Sequence, residues 1–452
     1  MIVCKFGGTS VGEPAAIRRL VEIIRHRVNQ QPIVVVSALA GVTNALLQVG
    51  ASLIDGTPPA LKAELGAILN RHLGIARQLE LDHVVDAELE ASTGMLVTRL
   101  VGALGHAPDD ELLDHVAGHG ELWSSRLVAG ALSSAGVSAE CVDVRQAMIT
   151  DDRFGRAAPD LAELRRRAPR VFVPVVERGA VPVTQGYIGV TPDGRSTTLG
   201  RGGSDYTAAL LGAALAVNRV EIWTDVSGLM TADPRIVPHA RPLALASHHE
   251  AAELAAFGAK VLHPATAAPL VEAGIPAVIL NSFAPDEPGT TILSGARPGP
   301  VGASPVRSIS CKKGVTVVNV RAPAMLGTTG FLEEFFAIFA RHGVSVDVLA
   351  SSEVSISCTI DDTQRLDELT AALRDVGEVK VHRNRAIIGV VGIDLRGTRG
   401  LASRIFSAIR GINVEVISQG ASEINVTFVV REEDGPSAVR QLHDEFFGRE
   451  GS

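Results

Sequence analysis

Cysteine is scarce in this chain, and the cysteines present form no recognisable framework. The 452 residues include only Cys4, Cys141, Cys311 and Cys358, scattered along the sequence. Their spacing matches neither a zinc site nor a framework of disulfide bonds. Free cysteines are compatible with a reducing compartment, so we expect a cytoplasmic protein. Apolar residues make up 46% of the chain, which is enough for sizeable cores, and the length predicts two or three domains.

The chain also lacks an excess of positive charge, an evident membrane span and a targeting signal. Its formal net charge of −8 argues against a general nucleic-acid-binding protein. The stretch 33–54 carries no charged residue, but glycines and polar side chains interrupt it and no basic flank follows, so we expect no membrane span. Lys5 interrupts the only early apolar run, so we expect no signal peptide.

Two familiar phosphate-binding signatures are missing. The sequence contains neither G-x-x-x-x-G-K-[ST] nor the pair H-R-D and D-F-G, which argues against the P-loop and protein-kinase mechanisms. It also contains no G-x-G-x-x-G unit, and we therefore expect no fused dehydrogenase domain.

What the chain does contain is a glycine-rich stretch, Gly200–Thr207, in which three glycines surround an arginine. Glycines let backbone N–H groups approach an anion, and the apolar helical run 208–217 adds the positive end of its dipole. Arg201 offers two parallel hydrogen bonds to a carboxylate or phosphate, and Asp205 can cap the helix or organise a metal-bound phosphate. We interpret the stretch as part of a phosphoryl-transfer site; the alternative is a glycine-rich turn with a capped helix.

A second anion-binding turn is predicted at the start of the chain. The apolar run Ile2–Phe6 is typical of a buried strand, Gly7 and Gly8 interrupt it, and a helical pattern begins near Pro14. Burying an unpaired charge is costly, which favours a phosphate partner for Lys5 at the end of this strand. The alternative is an edge lysine whose ammonium reaches solvent.

Strand-like and helix-like segments alternate through the first part of the chain. This alternation predicts an α/β sandwich with a largely parallel sheet, whose ligands bind at the carboxyl ends of the strands. The predicted strands are Ile33–Val36, Arg170–Val176, Val181–Gln185, Arg219–Trp223 and Ala277–Asn281.

Glycines also mark a helical segment around residues 115–127. Gly118 and Gly120 flank His119, and Glu121 follows. Glycine costs helix stability, so it usually indicates the close approach of another group. Glu121 is either a site residue or an ordinary solvated glutamate, and the sequence alone favours neither. His119 has no partner at metal-ligand spacing, which indicates a structural histidine.

An internal repeat follows a proline- and glycine-rich linker at 296–305. The segment Val344–Val348 recurs as Ile412–Val416, and Ser352–Ile356 recurs as Ser422–Val426. The order of strands and helices around these segments predicts a ferredoxin-like βαββαβ unit that is present twice.

Together these motifs resemble the aspartate kinases of the amino-acid kinase superfamily. Lys5–Ser10 resembles the opening signature of that family, and Gly200–Thr207 resembles its second. Glu221–Gly228 with Thr231–Arg235 is similar to its nucleotide segment, and Phe257–Pro264 to a fourth block. The four blocks occur in the right order, and the resemblance covers essentially the whole chain.

The resemblance implies a three-layer amino-acid kinase sandwich with a mostly parallel sheet, followed by two ferredoxin-like βαββαβ ACT domains. We place the catalytic domain at 1–296, the linker and first ACT domain at 297–384, and the second ACT domain at 385–452. A strand near 305–312 is a candidate to complete the second ACT domain.

The implied activity is ATP-dependent phosphorylation of the β-carboxylate of L-aspartate to 4-phospho-L-aspartate, with Mg²⁺. This is the first step of lysine (through diaminopimelate), threonine and methionine biosynthesis. The resemblance implies catalytic roles for Lys5 and Asp205. It implies substrate binding by Ser37, Thr43, Glu121, Arg201 and Ser204, and nucleotide binding by Lys5, Gly7, Gly8, Thr224, Asp225, Met230, Arg235 and Lys260. No protein side chain is assigned as a metal ligand, and Met230 stands where many relatives carry tyrosine.

The ACT pair implies feedback regulation and a homodimer or homotetramer, because pairing between subunits covers exposed sheet edges. Lysine is the first choice of effector, threonine the second and an unregulated enzyme the third. Gly327 stands where the lysine-sensitive pattern often has histidine, so the pattern supports effector binding more strongly than it supports lysine as the effector. Asp347 is either the carboxylate that holds an effector ammonium or a solvated charge at a strand end. The implied effector residues are Met325, Thr328, Gly330, Phe331, Leu332, Asp347, Ser351 and Ser352.

Two other functions stay open at this point. Acetylglutamate or glutamate kinase is the rival within the superfamily, although Glu121, Arg201 and the ACT pair together favour aspartate. A non-catalytic amino-acid sensor on a decayed kinase is the rival of another class, against which the intact Lys5, Arg201 and Asp205 argue.

Overall fold

The structure is a computed structural model that describes residues 1–256, 264–295, 299 and 304–448. The chain divides into two compact units. The first contains Met1–Leu229, Ala244–His248 and Val261–Ala296, and the second contains Met230–Leu243, His249–Lys260 and Arg297–Ser452. Among the described helices, none combines the length and hydropathy that a bilayer span requires.

An eight-stranded sheet forms the centre of the first unit. The strands of this unit are β1 (Ile2–Phe6), β2 (Pro32–Val36), β3 (Ala139–Val142), β4 (Val181–Gln185), β5 (Ile188–Val190), β6 (Ser196–Thr198), β7 (Val220–Thr224), β8 (Leu245–Ser247), β9 (Ala277–Asn281) and β10 (Thr290–Leu293). The sheet has the order β3-β4-β2-β1-β7-β9-β10-β8, and β5 and β6 form a separate antiparallel hairpin. Every neighbouring pair in the large sheet is parallel except β9 and β10. The predicted, largely parallel sheet is therefore confirmed.

Helices pack on this sheet and on one another. They are α1 (Gly8–Val11), α2 (Pro14–Arg25), α3 (Val42–Ala51), α4 (Pro58–Gln78), α5 (His83–Gly102), α6 (Asp110–Ala117), α7 (His119–Ser134), α8 (Leu161–Glu177), α9 (Gly203–Ala214) and α11 (Pro264–Ala273), while α10 (His248–Ala256) begins in this unit and continues in the other. Helix α7 contacts β2, β3 and β4, and α9 contacts β1, β2 and β7.

The predicted strand at 170–176 is wrong, because these residues lie inside helix α8. Asp160 begins the helix by accepting hydrogen bonds from the N–H groups of two first-turn residues. Leu164, Ala168 and Phe172 are buried along one face of it. The N-cap and the apolar stripe stabilise a helix here. They outweigh the strand preference of the β-branched residues in its last turns. The other predicted strands correspond to β2, β4, β7 and β9.

Alternation along β1 decides where Lys5 points. Ile2, Cys4 and Phe6 belong to the apolar core that includes residues of α2, α4, α5 and α7. Successive side chains of a strand point to opposite faces. Lys5 therefore points to the other face, and there it meets α9.

A six-stranded antiparallel sheet organises the second unit. Its strands are β11 (Val306–Arg321), β12 (Leu349–Ser351), β13 (Ser355–Ile360), β14 (Glu378–Gly392), β15 (Val416–Gln419) and β16 (Asn425–Arg431). Their order is β12-β13-β11-β14-β16-β15. The helices are α12 (Phe331–Arg341), α13 (Leu366–Leu373), α14 (Leu401–Ala408) and α15 (Gly435–Phe447).

The two central strands of this sheet are long and serve both repeats. Residues 316–321 of β11 pair with β13, whereas residues 306–312 of the same strand pair with 387–392 of β14. Residues 385–391 of β14 pair in turn with β16. One apolar core lies around α12 and α13 and another around α14 and α15.

Candidate active site

A cleft of about 640 Å³ lies in the first unit beside the carboxyl ends of β1 and β2. A parallel sheet places its ligand site at this edge. The cleft brings together eight residues that the sequence analysis selected: Lys5, Gly8, Ser37, Thr43, Glu121, Arg201, Ser204 and Asp205.

Lys5 and Asp205 form an ion pair at the floor of the cleft. The Lys5 Nζ atom lies 2.5 Å from Asp205 Oδ1, and Lys5 is only 8% exposed. Asp205 belongs to the first turn of α9, where the helix dipole favours a negative charge. Asp205 holds the Lys5 ammonium in place but uses only part of its three N–H donors. Lys5 can therefore still donate a hydrogen bond to a phosphate oxygen.

The glycine-rich stretch forms the turn that leads into α9. Gly200 and Gly202 have φ values of +76° and +75°, a conformation that costs other residues energy because of their Cβ. Gly202 is the N-cap residue of α9, so the free N–H groups of the first helical turn face the cleft edge. Arg201 lies between the two glycines and is exposed.

The loop after β2 lies against the turn after β1. The Ser37 N–H donates to the Phe6 carbonyl, and the Ala40 N–H donates to the Gly8 carbonyl. A Cβ at Gly8 would lie 2.8 Å from the Ala38 carbonyl oxygen, so only glycine allows this approach. Ser37 and Thr43 thereby line the same cleft as Lys5.

Glu121 is a buried carboxyl at the start of α7. It is 3% exposed, and its Oε1 accepts a hydrogen bond of 3.0 Å from the Ala38 N–H. Its Oε2 is buried without a hydrogen-bond partner among the described residues. Burial raises the pKa of Glu121 to about 8, against the smaller lowering effect of the Ala38 hydrogen bond. A cationic ligand would satisfy the free oxygen and favour the ionised carboxylate.

The cleft therefore presents separate sites for a positive and a negative group. Glu121 offers a carboxylate oxygen without a partner, and the Arg201 guanidinium makes no ion pair within the described part of the chain. Lys5 adds a second cation, which Asp205 holds in place. The arrangement suits a zwitterionic amino acid next to a phosphate.

The predicted nucleotide residues are distributed more widely. Gly7 donates its N–H to the Trp223 carbonyl at 3.2 Å, which places Thr224 and Asp225 beside the turn after β1. Met230 and Arg235 belong to the second unit, and Lys260 lies outside the described residues.

The predicted effector residues lie in the first repeat of the second unit. Gly330 has a φ of +86° and is the N-cap residue of α12, which begins with Phe331 and Leu332. Met325 ends the short helical turn before it, and Thr328 Oγ1 donates to the Ala324 carbonyl. Ser351 ends β12, and the Ser352 hydroxyl lies 2.8 Å from that of Ser355.

Asp347 has a cationic neighbour that the sequence analysis missed. The Lys312 ammonium lies 2.8 Å from Asp347 and 2.9 Å from Asp361. Burial alone would lower the pKa of Lys312, but hydrogen bonds to these two carboxylates raise it above its usual value. The carboxylate proposed to hold an effector ammonium is therefore already in contact with an ammonium of the chain.

Two residues that support the cleft were also missed. The Asp114 carboxylate accepts hydrogen bonds from the N–H groups of Gly155 and Thr198 and from the Thr198 hydroxyl. Tyr187 lines the cleft with a φ of +69°. Asp114 lies in the middle of α6, and no sequence motif indicated either residue.

Comparison with known proteins agrees with this geometry. The amino acid kinase family model matches residues 1–281, and an ACT domain model matches residues 388–446. The chain is 39% identical to lysine-sensitive aspartokinase 3 of Escherichia coli over 99% of both proteins. It is 35% identical to chloroplastic aspartokinase 1 of Arabidopsis thaliana over 98% of this chain and 80% of that protein.

Solved structures give the same result. The crystal structure of E. coli aspartokinase III in complex with aspartate and ADP matches with a TM-score of 0.85 at 38% identity, covering 99% of this chain and 100% of that one. The structure of that enzyme with lysine and aspartate matches with a TM-score of 0.84 at 38% identity, covering 99% of each chain. Because the similarity extends over the kinase unit and both repeats, the chain belongs to the aspartokinases of the amino acid kinase family, with C-terminal ACT domains.

Proposed function

We propose that this protein transfers the γ-phosphoryl group of ATP to the β-carboxylate of L-aspartate. The observation that carries the proposal is the buried Glu121 Oε2, which has no hydrogen-bond partner among the described residues and lies in the same cleft as Arg201 and the Lys5–Asp205 pair. Further support comes from the E. coli relative, which was solved with aspartate and ADP.

Each end of aspartate has a matching group in the cleft. Glu121 binds the α-ammonium, which gives its free oxygen a partner, and Arg201 binds the α-carboxylate through two parallel hydrogen bonds. Ser37, Thr43 and Ser204 position the β-carboxylate. N-acetylglutamate has no free ammonium for Glu121, so the buried carboxylate favours an unmodified amino acid.

The reaction needs no general base. The β-carboxylate of aspartate, with a pKa of about 3.9, is ionised at neutral pH. One of its oxygens forms a bond to the γ-phosphorus while the bond from that phosphorus to the β–γ bridging oxygen breaks, and ADP leaves with the electron pair. Lys5 stabilises the charge on the transferring group, and Asp205 fixes the Lys5 ammonium.

The oxygen donors present fit Mg²⁺ as the partner of ATP. Mg²⁺ takes few protein carboxylates and completes its coordination with phosphate and water, and Asp205 is a carboxylate beside the cleft. When bound, the ion would neutralise phosphate charge. Thr224, Asp225, Met230, Arg235 and Lys260 are the remaining proposed nucleotide residues, with Gly7, Gly8 and Gly202 as N–H donors.

The test is ADP release with L-aspartate, L-glutamate and N-acetyl-L-glutamate as separate acceptors. We expect turnover with aspartate, and a large loss of aspartate turnover in Glu121→Gln, which keeps the Ala38 hydrogen bond but loses the charge. Lys62→Met, an exposed lysine on α4, is the control. Binding of ATP without turnover of any acceptor would favour an amino-acid sensor instead.

We also propose that lysine inhibits the enzyme through the first ACT repeat, with Asp347 as the partner of an effector ammonium. The E. coli relative was solved with lysine and aspartate, and Met325, Gly330 and Asp347 belong to the same, first repeat of the second unit, which supports the proposal. Inhibition by lysine and not by threonine is the expected result. Inhibition by threonine alone would reassign the effector.

A homodimer or larger assembly is the proposed state. Within the described residues, strand β12 pairs only with β13 and so ends the six-stranded sheet; proteins usually cover such an edge. Leu349 on this strand, with Leu326 and Leu332 in the same repeat, is an exposed apolar side chain. Light scattering after size exclusion should give at least twice the mass of the chain, and Leu349→Lys should lower it.

A further inference from the structure

Two histidines in the second unit each have a buried ring nitrogen without a hydrogen-bond partner in the part of the chain that the structure describes. His239 lies in the segment 230–243, and His443 lies on α15. Their ring centroids are 5.0 Å apart at an interplanar angle of 76°. The buried His239 Nε2 and His443 Nδ1 have no hydrogen-bond partner among the described residues.

Both rings are held by the surrounding packing. Val237, two residues before His239, belongs to the same apolar core as Leu442 on α15, and Ala240, the residue after His239, packs against that core. His443 is fully buried. Leaving two buried polar atoms unpaired in such a core is costly, so their presence calls for a ligand that joins them.

Asp444 completes a set of three. One ligand atom each from His239, His443 and Asp444 lie within 4.8 Å of one another. We infer that His239, His443 and Asp444 form a binding site for a Zn²⁺-like transition-metal ion, which imidazole and carboxylate ligands suit.

The other nitrogen of His443 already has the partner that a metal-binding histidine requires. Its Nε2 lies 3.0 Å from Thr231 Oγ1, and Thr231 is fully buried and accepts the Arg241 N–H. When Nε2–H donates to Thr231, the Nδ1 lone pair is left for the ion, as is usual for ligating histidines.

The other two ligands can adjust. Ligand atoms that bind a tetrahedral ion at about 2.0–2.1 Å lie about 3.4 Å from one another. The ligand atoms of His239, His443 and Asp444 lie within 4.8 Å of one another and move closer together to bind the ion. His239 is only half-buried and can rotate toward the fixed His443. Asp444 would exchange its present interaction for the ion, and water is the fourth ligand. Arg241, whose charge also acts on His443, opposes a cation, and the Asp444 carboxylate offsets that charge.

The test uses the full-length chain without a histidine tag, treated with chelator and then titrated with Zn²⁺ by calorimetry. We expect one Zn²⁺ per chain, a higher melting temperature with Zn²⁺, and a tetrahedral visible spectrum when Co²⁺ replaces it. His239→Ala and Asp444→Asn should each weaken Zn²⁺ binding by at least about tenfold.

The control is His249→Ala, which removes an exposed histidine of the same unit and should leave Zn²⁺ binding unchanged. Asp444→Asn preserves side-chain volume, so its Zn²⁺ affinity tests the site even if His239→Ala does not fold. Absence of stoichiometric Zn²⁺ binding, or equal affinity in both variants and the wild type, would overturn the site. Kinase activity is not used as a readout, so the outcome is independent of the proposed function.

Discussion

The Lys312 ammonium donates a hydrogen bond of 2.8 Å to the carboxylate of Asp347. An effector that brings an ammonium to Asp347 must therefore share this carboxylate with Lys312 or displace it. Asp361 provides an alternative partner for Lys312 at 2.9 Å, so displacement does not leave the lysine unpaired.

Lys312→Met should make the enzyme more sensitive to its effector. Partly exposed ion pairs contribute up to about 1 kcal/mol, so we expect the effector concentration for half-inhibition to fall about three- to fivefold while uninhibited turnover is unchanged. Lys313→Met, which removes the exposed neighbouring lysine, is the matched control. Weaker inhibition in Lys312→Met would instead make Lys312 part of the effector site.

Lys5→Met should lower kcat by about 10² or more, because it removes a donor that stabilises charge in the transition state. Asp205→Asn should lower kcat less, and the double variant should resemble Lys5→Met, because Asp205 acts through Lys5. Steady-state kinetics on the four proteins, with Lys62→Met as control, test this. Independent, multiplicative effects would contradict the pairing seen at 2.5 Å.

Glu121 should make the ligand-free protein less stable as pH rises. Its folded pKa of about 8 lies above the ordinary value of 4.5, so between these values the folded state binds more protons than the unfolded state. The free energy of unfolding then falls with rising pH, by at most about 1.4 kcal/mol per unit. Denaturant titrations from pH 5 to 8 should show this fall in the wild type and a smaller fall in Glu121→Gln.

Binding of aspartate should show the reverse trend. An α-ammonium requires the ionised Glu121, so the Kd for aspartate should decrease up to about tenfold per pH unit as pH approaches the pKa of Glu121, about 8. Calorimetry in buffers of different ionisation enthalpy should detect a proton released on binding at pH 7. A Kd that is independent of pH over this range would remove Glu121 from the ammonium site.

Asp114→Ala should destabilise the protein by about 2–3 kcal/mol, because the buried N–H and hydroxyl of Thr198 and the N–H of Gly155 lose their acceptor. We also expect a higher KM for aspartate, since Gly155 lines the cleft and Thr198 ends the hairpin before the glycine-rich turn. Asp114→Asn retains one carbonyl oxygen for both N–H groups and should lose less than about 1 kcal/mol. Thermal and chemical unfolding of both variants check this difference.

The sequence predicts the cleft better than it predicts the groups that support it. Lys5 and Arg201 are recognisable because the glycines that shape their turns are adjacent to them in sequence. Asp114 cannot be recognised in this way, because its hydrogen-bond partners Gly155 and Thr198 lie 41 and 84 residues away in the sequence. The same holds for Lys312, whose partner Asp347 is 35 residues further along the chain.

Local composition also misled the assignment of α8. Residues 170–176 are rich in valine, which favours a strand when taken alone. The cap at Asp160 and the buried stripe that begins at Leu164 lie outside that window, and together they decide the structure. A longer window that includes the cap predicts the helix.

Strands β11 and β14 each extend through both halves of the six-stranded sheet of the second unit. A crossover between two related genes near residue 385, the boundary of the two repeats, would divide β14 in its middle. The hybrid strand would then combine two half-strands whose side chains were selected in different proteins. The regulatory repeats must therefore be inherited as one block. In laboratory chimeras, a new effector preference should be transferred by exchanging 304–448 whole, and exchange of one repeat should yield insoluble protein.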